Sequence, residues 1–186
     1  MKRKELFQTT AILGVLPLLS WGHNPKIDLD KVEPVLSSPN LNNSYWYMGH
    51  LMSVLVSSEQ TIGSFSLIHG YEIQGLEPPP HTHTREDESF YLLSGEIEFT
   101  VGEKIFNVKA GNWIFLPRKI QHSFQVKTEK SEVLIHLSPG GFEGYFIEMS
   151  EPAKEMVIPP RPEVPPNAQK IIETASRYGI VFPKRN

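Results

Sequence analysis

The sequence contains no cysteine, and this absence excludes both disulfides and thiolate metal ligands. Any metal would have to be held by imidazole and carboxylate groups. The chain also lacks a charge excess, since 18 Lys and Arg against 21 Asp and Glu give a net charge of -3, and this gives no reason to expect a nucleic acid partner. The apolar run from Ala11 to Leu19 is too short to span a bilayer, so we expect no stable membrane anchor.

The N-terminal segment predicts a secretory signal over residues 1–22. A basic start is followed by the short apolar run, and Ser20 and Gly22 place small residues before a cleavage site. The segment also resembles a twin-arginine export signal, with Arg3-Lys4 in place of the two arginines, so both general export routes stay open. We therefore expect an exported, periplasmic protein. The alternative is an uncleaved helix packed on the domain, and the protein would then be cytoplasmic.

The rest of this 186-residue chain is typical of a single domain with tails. Residues 23–44 are polar and proline-punctuated, which predicts an extended arm. Residues 45–150 hold short segments rich in β-branched and aromatic residues between glycine, proline or charged turns, which favours an all-β sandwich or barrel. Residues 151–186 predict a proline-rich crossing and then a short helix, with Asn167 as its N-cap and Gly179 at its C-terminal stop.

Four residues in the strand region form a candidate metal site. His81 and His83 are two residues apart, so in a strand their side chains point to the same face. Glu88 lies on the returning strand, where it can meet them, and His122 begins a later strand and supplies a third imidazole. Three imidazoles and one carboxylate can hold a first-row transition metal with open coordination positions. The alternative is a set of solvated turn charges or hydrogen-bonded core groups.

Other residues of the same strands are candidates for a substrate pocket around the metal. They are aromatic or imidazole side chains in neighbouring strands, namely Phe115, Phe124, His69 and His136. The alternatives are core packing for the phenylalanines and a hydrogen-bonded structural role for the histidines. Glu86 and Asp87 are expected to be solvated turn charges, with Glu88 alone in the phase of the inner face.

At these residues the sequence resembles the cupin superfamily. The first cupin motif is matched without a spacing error by Gly75, His81, His83, Glu88 and Gly95. The second is matched by Gly111, Pro117 and His122, although Lys119 replaces the turn glycine and Val126 stands where many members have asparagine. The flanking segments resemble single-domain cupins of the quercetin-dioxygenase-like group. The resemblance implies a double-stranded β-helix, or jelly-roll barrel, and one divalent transition metal (Fe, Mn, Ni, Co, Cu or Zn) on the four ligands.

The resemblance also implies a small-molecule substrate. The first functional hypothesis is a dioxygenase that uses O2 on a flavonol-like or other enolisable aromatic compound chelated to the metal, with Glu88 as the catalytic group that takes the hydroxyl proton. Two alternatives stay open: an isomerase or lyase that uses the metal as a Lewis acid without oxygen, and a non-catalytic cupin that binds a small ligand. We expect a homodimer, because "SFYLLSG" and "NWIFLP" carry apolar residues on both strand faces.

Overall fold

The computed structural model describes residues 32–164 and 167–183. The predicted signal at residues 1–22, with the export it implies, lies outside these residues. The described part of the predicted arm before the first strand, residues 32–43, contains no helix or strand and is mostly exposed. The structure of the domain therefore starts at the first strand.

The described residues form twelve strands and two helices, which occupy positions from Ser44 onward. The strands are β1 (Ser44–Tyr47), β2 (His50–Val56), β3 (Ser66–Ile73), β4 (Thr82–His83), β5 (Asp87–Ser94), β6 (Glu96–Val101), β7 (Lys104–Lys109), β8 (Trp113–Leu116), β9 (His122–Val126), β10 (Lys130–Ser138), β11 (Glu151–Pro152) and β12 (Ile180–Val181). The helices are α1 (Glu143–Glu148) and α2 (Ala168–Arg177).

The strands make two antiparallel sheets that face each other. The larger has the order β11-β1-β2-β3-β10-β5-β8 and the smaller the order β7-β6-β9, while β4 pairs with β12. Phe90 of β5 contacts Phe99 of β6 and Phe124 of β9, with ring centroids 5.1 and 5.8 Å apart, so the two sheets share one core. The predicted all-β jelly roll with a short C-terminal helix is confirmed.

The core follows from the two-residue alternation of the strands. In β6, Ile97 and Phe99 are fully buried while the residues between and beside them are partly exposed. Strand β10 alternates in the same way, with Val133, Ile135 and Leu137 buried. Because each strand has one apolar face, both sheets turn that face inward and the other toward solvent.

The C-terminal helix α2 has the predicted ends. The Asn167 side chain accepts a hydrogen bond from the Lys170 N–H at 3.1 Å, and Gly179 follows the helix at a φ of +83°. Ala175 is buried, whereas Ile172 is half exposed. After the helix, β12 pairs with β4 and brings the C-terminal segment to the candidate site. Within 32–164 and 167–183, no helix is long and apolar enough to cross a membrane.

The outer face of β8 exposes large aromatic side chains. Trp113 and Phe115 are 55% and 53% exposed in the single chain, whereas Ile114 and Leu116 between and beside them are buried. An exposed aromatic face of this kind is what led us to expect a homodimer. The homodimer stays a prediction.

Glu143 ties helix α1 to the loop after β2. Its two carboxylate oxygens accept hydrogen bonds from the backbone N–H groups of Ser58 and Gly141, both at 2.7 Å. Burial raises the pKa of Glu143, but the hydrogen bonds outweigh burial and hold the pKa below its ordinary value. Because the unfolded chain takes up this proton at a higher pH, the stability that Glu143 confers is present above its unfolded pKa and is lost as the pH falls through the folded value.

We therefore expect Glu143→Gln to lower the free energy of unfolding by about 1–3 kcal/mol at neutral pH, since the amide keeps only one acceptor oxygen. The cost should shrink at about pH 3, where the carboxyl group of the unfolded chain is already protonated. Urea unfolding of the unaltered protein and of Glu143→Gln at the two pH values measures this difference in the free energy of unfolding. An equal loss of unfolding free energy at both pH values would contradict the stabilising role of the charged carboxylate.

Candidate metal centre

Strand pairing brings together four side chains that are distant in sequence. His83 lies in β4, Glu88 in β5, and His122 at the start of β9. His81 and His122 exchange two backbone hydrogen bonds of 3.0 and 2.9 Å, which sets their side chains next to each other. Potential ligand atoms of all four residues lie within 4.8 Å of one another, and all four residues are buried. We call His81, His83, Glu88 and His122 the ligand cluster.

Backbone carbonyl groups orient two of the three imidazoles. Nδ1 of His81 lies 2.9 Å from the Pro79 oxygen, and Nδ1 of His122 lies 3.2 Å from the Ile120 oxygen. A carbonyl oxygen only accepts hydrogen bonds, so each Nδ1 carries the proton and each Nε2 keeps its lone pair. This is the tautomer in which Nε2 binds a metal.

Three nitrogen atoms of the ligand cluster are buried without a hydrogen-bond partner: both ring nitrogens of His83 and Nε2 of His122. The Glu88 Oε2 atom lies 3.7 Å from Nε2 of His83 and 3.3 Å from Nε2 of His122. A buried polar atom that lacks a partner is costly unless an ion or water completes its bonding. Three imidazoles and a carboxylate at this spacing fit a divalent transition metal, so the cluster can hold a metal ion.

The surroundings also set the protonation states that metal ligands need. Burial lowers the pKa of His81 to about 4, so this imidazole is neutral at physiological pH. Burial raises the pKa of Glu88, but the neighbouring imidazoles, His83 foremost, outweigh burial and bring the pKa well below its ordinary value. A neutral imidazole beside an ionised carboxylate is ready to bind a cation without first losing a proton.

A strained turn before β9 supports the site from the backbone. Lys119 adopts a φ of +67°, a left-handed conformation that costs a residue with a side chain about 1 kcal/mol, and its N–H donates to the His83 carbonyl at 2.7 Å. The position where the cupin motif has glycine thus keeps the glycine conformation although it holds lysine. Lysine in place of glycine makes the turn more costly, but the turn keeps its hydrogen bond to His83 of β4.

The expectation that Glu86 is a solvated turn charge is wrong. Glu86 is buried, and its Oε2 atom lies 3.6 Å from Nδ1 of His83, with neither atom in a hydrogen bond. The reason is strand phase: Glu86 is two residues before Glu88 and therefore turns to the same inner face. Asp87, between them, turns outward as expected and forms an ion pair with Arg118 at 2.6 Å. Glu86 is thus placed to receive the His83 Nδ1 proton in a hydrogen bond and so to orient that ligand.

We expect Glu86→Ala to weaken metal binding by about 10- to 100-fold, the usual effect of removing the partner of a metal-binding imidazole. Glu86→Gln should recover part of the affinity, because the amide oxygen can still accept the Nδ1 proton. Calorimetric titration of metal-free protein with Ni2+ or Co2+ measures both.

Asp87→Asn is the matched control, since it alters the adjacent carboxylate on the other strand face. It should leave metal affinity within about threefold of the unaltered protein, because the Asp87 carboxylate turns away from the ligand cluster and pairs with Arg118. A loss of affinity as large in Asp87→Asn as in Glu86→Ala would show that Glu86 acts through general destabilisation.

A cavity of about 450 Å³ lies beside the ligand cluster. Its wall includes His81, His83 and Glu88. Much of the remaining wall is apolar and includes Phe90, Phe124, Ile135, Phe142, Phe146 and Ile180. A cavity of this size and lining suits a small aromatic ligand.

The cavity contains one of the four residues predicted for the substrate pocket. Phe124 lines it, whereas Phe115, His69 and His136 do not, and their assignment to the pocket is wrong. Each of the three stands one residue out of phase with the inward residues of its strand, as His136 does between the buried Ile135 and Leu137.

The three misassigned residues have structural surroundings on the outer faces. Nε2 of His69 lies 2.7 Å from Oε1 of Glu132. The His136 ring stacks on Phe65 with centroids 5.4 Å apart, and Phe115 is exposed. The hydrogen-bonded alternative therefore holds for His69, whereas His136 packs on Phe65.

The cavity wall also contains polar residues that the sequence analysis did not single out. They are Tyr47, His50, Glu72, Glu77, Tyr145 and Glu163. Glu72 had a usable signal, because it shares strand phase with the inward Ile68. Tyr145 lies in α1, where strand alternation gives no information about direction.

Comparison with known proteins supports the family. Residues 68–138, which span β3 to β10 and hold the ligand cluster, match the family described as Cupin domain. Over 113 residues the chain is 22% identical to quercetin 2,3-dioxygenase of Bacillus subtilis, a match that covers 61% of this chain and 34% of that protein. The match thus spans about a third of the length of that relative.

Solved structures show the same fold at low sequence identity. KdgF from Halomonas superposes with a TM-score of 0.52 at 16% identity, covering 60% of this chain and 99% of that one. An RmlC-like cupin from Shewanella frigidimarina gives a TM-score of 0.50 at 18% identity, covering 61% and 98%. With the match over the strands that carry the ligand cluster, residues 68–138 form a cupin domain.

Proposed function

We propose that the protein is a metal-dependent dioxygenase that acts on a flavonol-like or other enolisable aromatic compound. The observation that carries the proposal is the apolar, aromatic-lined cavity with the ligand cluster in its wall. Such a cavity takes up the flat body of an aromatic substrate and leaves its polar edge at the cluster. The similarity to a protein named quercetin 2,3-dioxygenase supports this substrate class.

The residues of the cavity have distinct tasks in such a reaction. A divalent transition metal on the ligand cluster would supply a Lewis acid that favours the deprotonated form of a chelating hydroxyl group. Glu88, whose pKa is lowered, is ionised and can accept the hydroxyl proton, so that the O–H bond of the substrate breaks and an enolate remains. The electron-rich enolate is the form of the substrate that reacts with O2.

Aromatic side chains position the substrate and limit access of water. The edge of Phe142 meets the His83 ring with centroids 4.5 Å apart, so the ligand side of the cavity is covered by a hydrocarbon surface. Phe90 and Phe124 lie in contact on the β5 and β9 walls. Excluding water strengthens the interaction of Glu88 with a bound hydroxyl group and protects a reactive enolate.

An oxygen electrode tests the proposal. Metal-loaded protein is mixed anaerobically with quercetin, and binding is followed by the shift of the flavonol absorption band before O2 is admitted. We expect uptake of about one O2 per flavonol consumed, as dioxygenase stoichiometry requires, and a rate at least about 100-fold lower in Glu88→Gln. Binding of the flavonol without later oxygen uptake would contradict the proposal, and anaerobic turnover of a hydroxy-keto compound would favour the isomerase or lyase alternative.

A further inference from the structure

A second polar group faces the cavity, on the wall formed by β1, β2 and β3. Its centre is the Glu72 carboxylate, which is buried to 3% exposure yet lines the cavity. His50 of β2 and Tyr47 of β1 lie beside Glu72, and Tyr145 of α1 contacts Tyr47. None of these residues belongs to the ligand cluster or to the two cupin motifs.

Backbone contacts occupy the histidine of this group. Nε2 of His50 donates to the Leu76 oxygen at 3.2 Å, and Nδ1 accepts from the Ile73 N–H at 3.4 Å. Oε2 of Glu72 is 3.4 Å from Nδ1 but outside hydrogen-bonding geometry. Both ring nitrogens are therefore committed to the backbone, and His50 is not free to bind a ligand.

The Glu72 carboxylate, in contrast, receives no hydrogen bond from any residue in the described part of the chain. The neighbouring wall residue Glu77 differs, because it accepts a hydrogen bond from the Val126 N–H at 2.9 Å. Burial raises the pKa of Glu72; nearby His50 lowers it by less, and the carboxylates of Glu88 and Glu77 raise it further. Because the carboxylate opens into the cavity, a ligand hydroxyl there can donate the hydrogen bond that the described part of the chain does not supply.

One aromatic ring separates this polar group from the ligand cluster. Phe142 lies 4.5 Å from the His83 ring on one side and stacks on Tyr145 at 5.1 Å on the other, both measured between ring centroids. The Tyr145 oxygen accepts a hydrogen bond from the Tyr47 hydroxyl at 3.2 Å, which leaves the Tyr145 proton available to a ligand. The cavity therefore has a second polar region, whose Tyr145 end is separated from the ligand cluster by the Phe142 ring.

We propose that Glu72 is a specificity-determining residue that accepts a hydrogen bond from a second hydroxyl group of the substrate. The substrate is then an aromatic compound with polar groups at two places, one at the ligand cluster and a hydroxyl group against Glu72. This inference rests on the proposed function, since it concerns the same cavity and substrate class. A substrate that has only the metal-chelating edge would leave the Glu72 carboxylate without a donor.

Two flavonols distinguish the two polar regions. Quercetin and 3-hydroxyflavone share the same hydroxy-keto chelating edge, but only quercetin carries hydroxyl groups on its other rings. Anaerobic dissociation constants are measured by absorption titration for metal-loaded unaltered protein, Glu72→Leu, Glu72→Gln and Glu132→Gln. Glu132 is the matched control, because it lies on β10 with its carboxylate on the outer face against His69.

We expect Glu72→Leu to weaken quercetin binding by at least about tenfold and 3-hydroxyflavone binding by less than about threefold, the range that loss of one hydrogen bond to a carboxylate produces. Glu72→Gln should lie between Glu72→Leu and the unaltered protein, and Glu132→Gln should change neither constant. The thermal midpoint of Glu72→Leu should be equal to or above that of the unaltered protein, because the change removes a buried group without a donor.

The outcomes separate this inference from the proposed function. If both flavonols bind the unaltered protein but lose affinity equally, or not at all, in the Glu72 variants, the inference is wrong and the dioxygenase proposal stands. If neither flavonol binds the metal-loaded protein, both are wrong. If Glu72→Leu does not fold, the same selective loss in Glu72→Gln decides the question.

Discussion

Replacing His83 with alanine is expected to reduce metal affinity by more than about 100-fold and to abolish turnover. Removing a group that only hydrogen-bonds to a metal ligand already lowers metal affinity by about 10- to 100-fold, and this change removes a ligand itself. His83 is fully buried at the junction of Glu86, Glu88 and His122, so no nearby side chain can take its place. Metal analysis after reconstitution and calorimetric titration give the two readouts.

His136→Ala is the matched control for this change. His136 is also a strand histidine, but it stands on the outer face of β10 against Phe65. It should retain about one metal per chain, as expected for the unaltered protein, because His136 lies outside both the ligand cluster and the cavity wall. Full metal content in His83→Ala, or an equal loss of metal in His83→Ala and His136→Ala, would contradict the assignment of His83 as a metal ligand.

Replacing Phe99 with alanine is expected to lower the free energy of unfolding by about 3–5 kcal/mol, a large part of the stability of a domain of this size. The Phe99 ring is fully buried and contacts Phe90 of the larger sheet and Phe124 of the smaller one. Its loss therefore opens a void where the two sheets meet, beside a wall of the cavity. Urea unfolding monitored by circular dichroism measures the change.

Phe115→Ala is the control for the same side-chain deletion. Phe115 is 53% exposed on the outer face of β8, so its removal should cost less than about 1 kcal/mol in a single chain. It should also leave flavonol binding unchanged, since Phe115 lies outside the cavity. Similar costs for Phe99→Ala and Phe115→Ala would mean that the interior does not lie between these sheets.

The ligand cluster was predictable because strand alternation determines which residues share a face. Alternation places His81 and His83 on one face, and a single turn returns the chain so that Glu88 can meet them. The match to the cupin motif supports His122 as the fourth ligand. The motif glycine Gly95 has a physical reason that is equally local. A Cβ atom there would lie 2.3 Å from Ser131 Oγ and 2.8 Å from the Lys130 carbonyl oxygen, and its φ is +85°.

The errors arose where the phase rule was applied incompletely. The prediction that Glu88 alone has the inward phase is wrong, because Glu86 lies two residues before Glu88, shares its phase and is buried beside His83. His69 and His136 were placed by residue type, without regard to the inward residues of their own strands.

Other features could not follow from alternation at all. Phe142 and Tyr145 reach the cavity because helix α1 and the segment before it fold back over the β1 strand. Helix α2 and β12 reach the site through pairing of Ile180 with His83, which joins residues almost a hundred positions apart. Such long-range placements depend on tertiary packing, and no local pattern in the sequence specifies them.

The central claim is that the ligand cluster binds one transition metal at the wall of the cavity. Anomalous scattering from crystals of the metal-loaded protein, measured at the absorption edge of the bound metal, tests it most directly. We predict a single strong peak at about 2.0–2.2 Å from the three imidazole nitrogens and a Glu88 oxygen. A peak elsewhere on the chain, or none in protein that contains the metal, would contradict the claim.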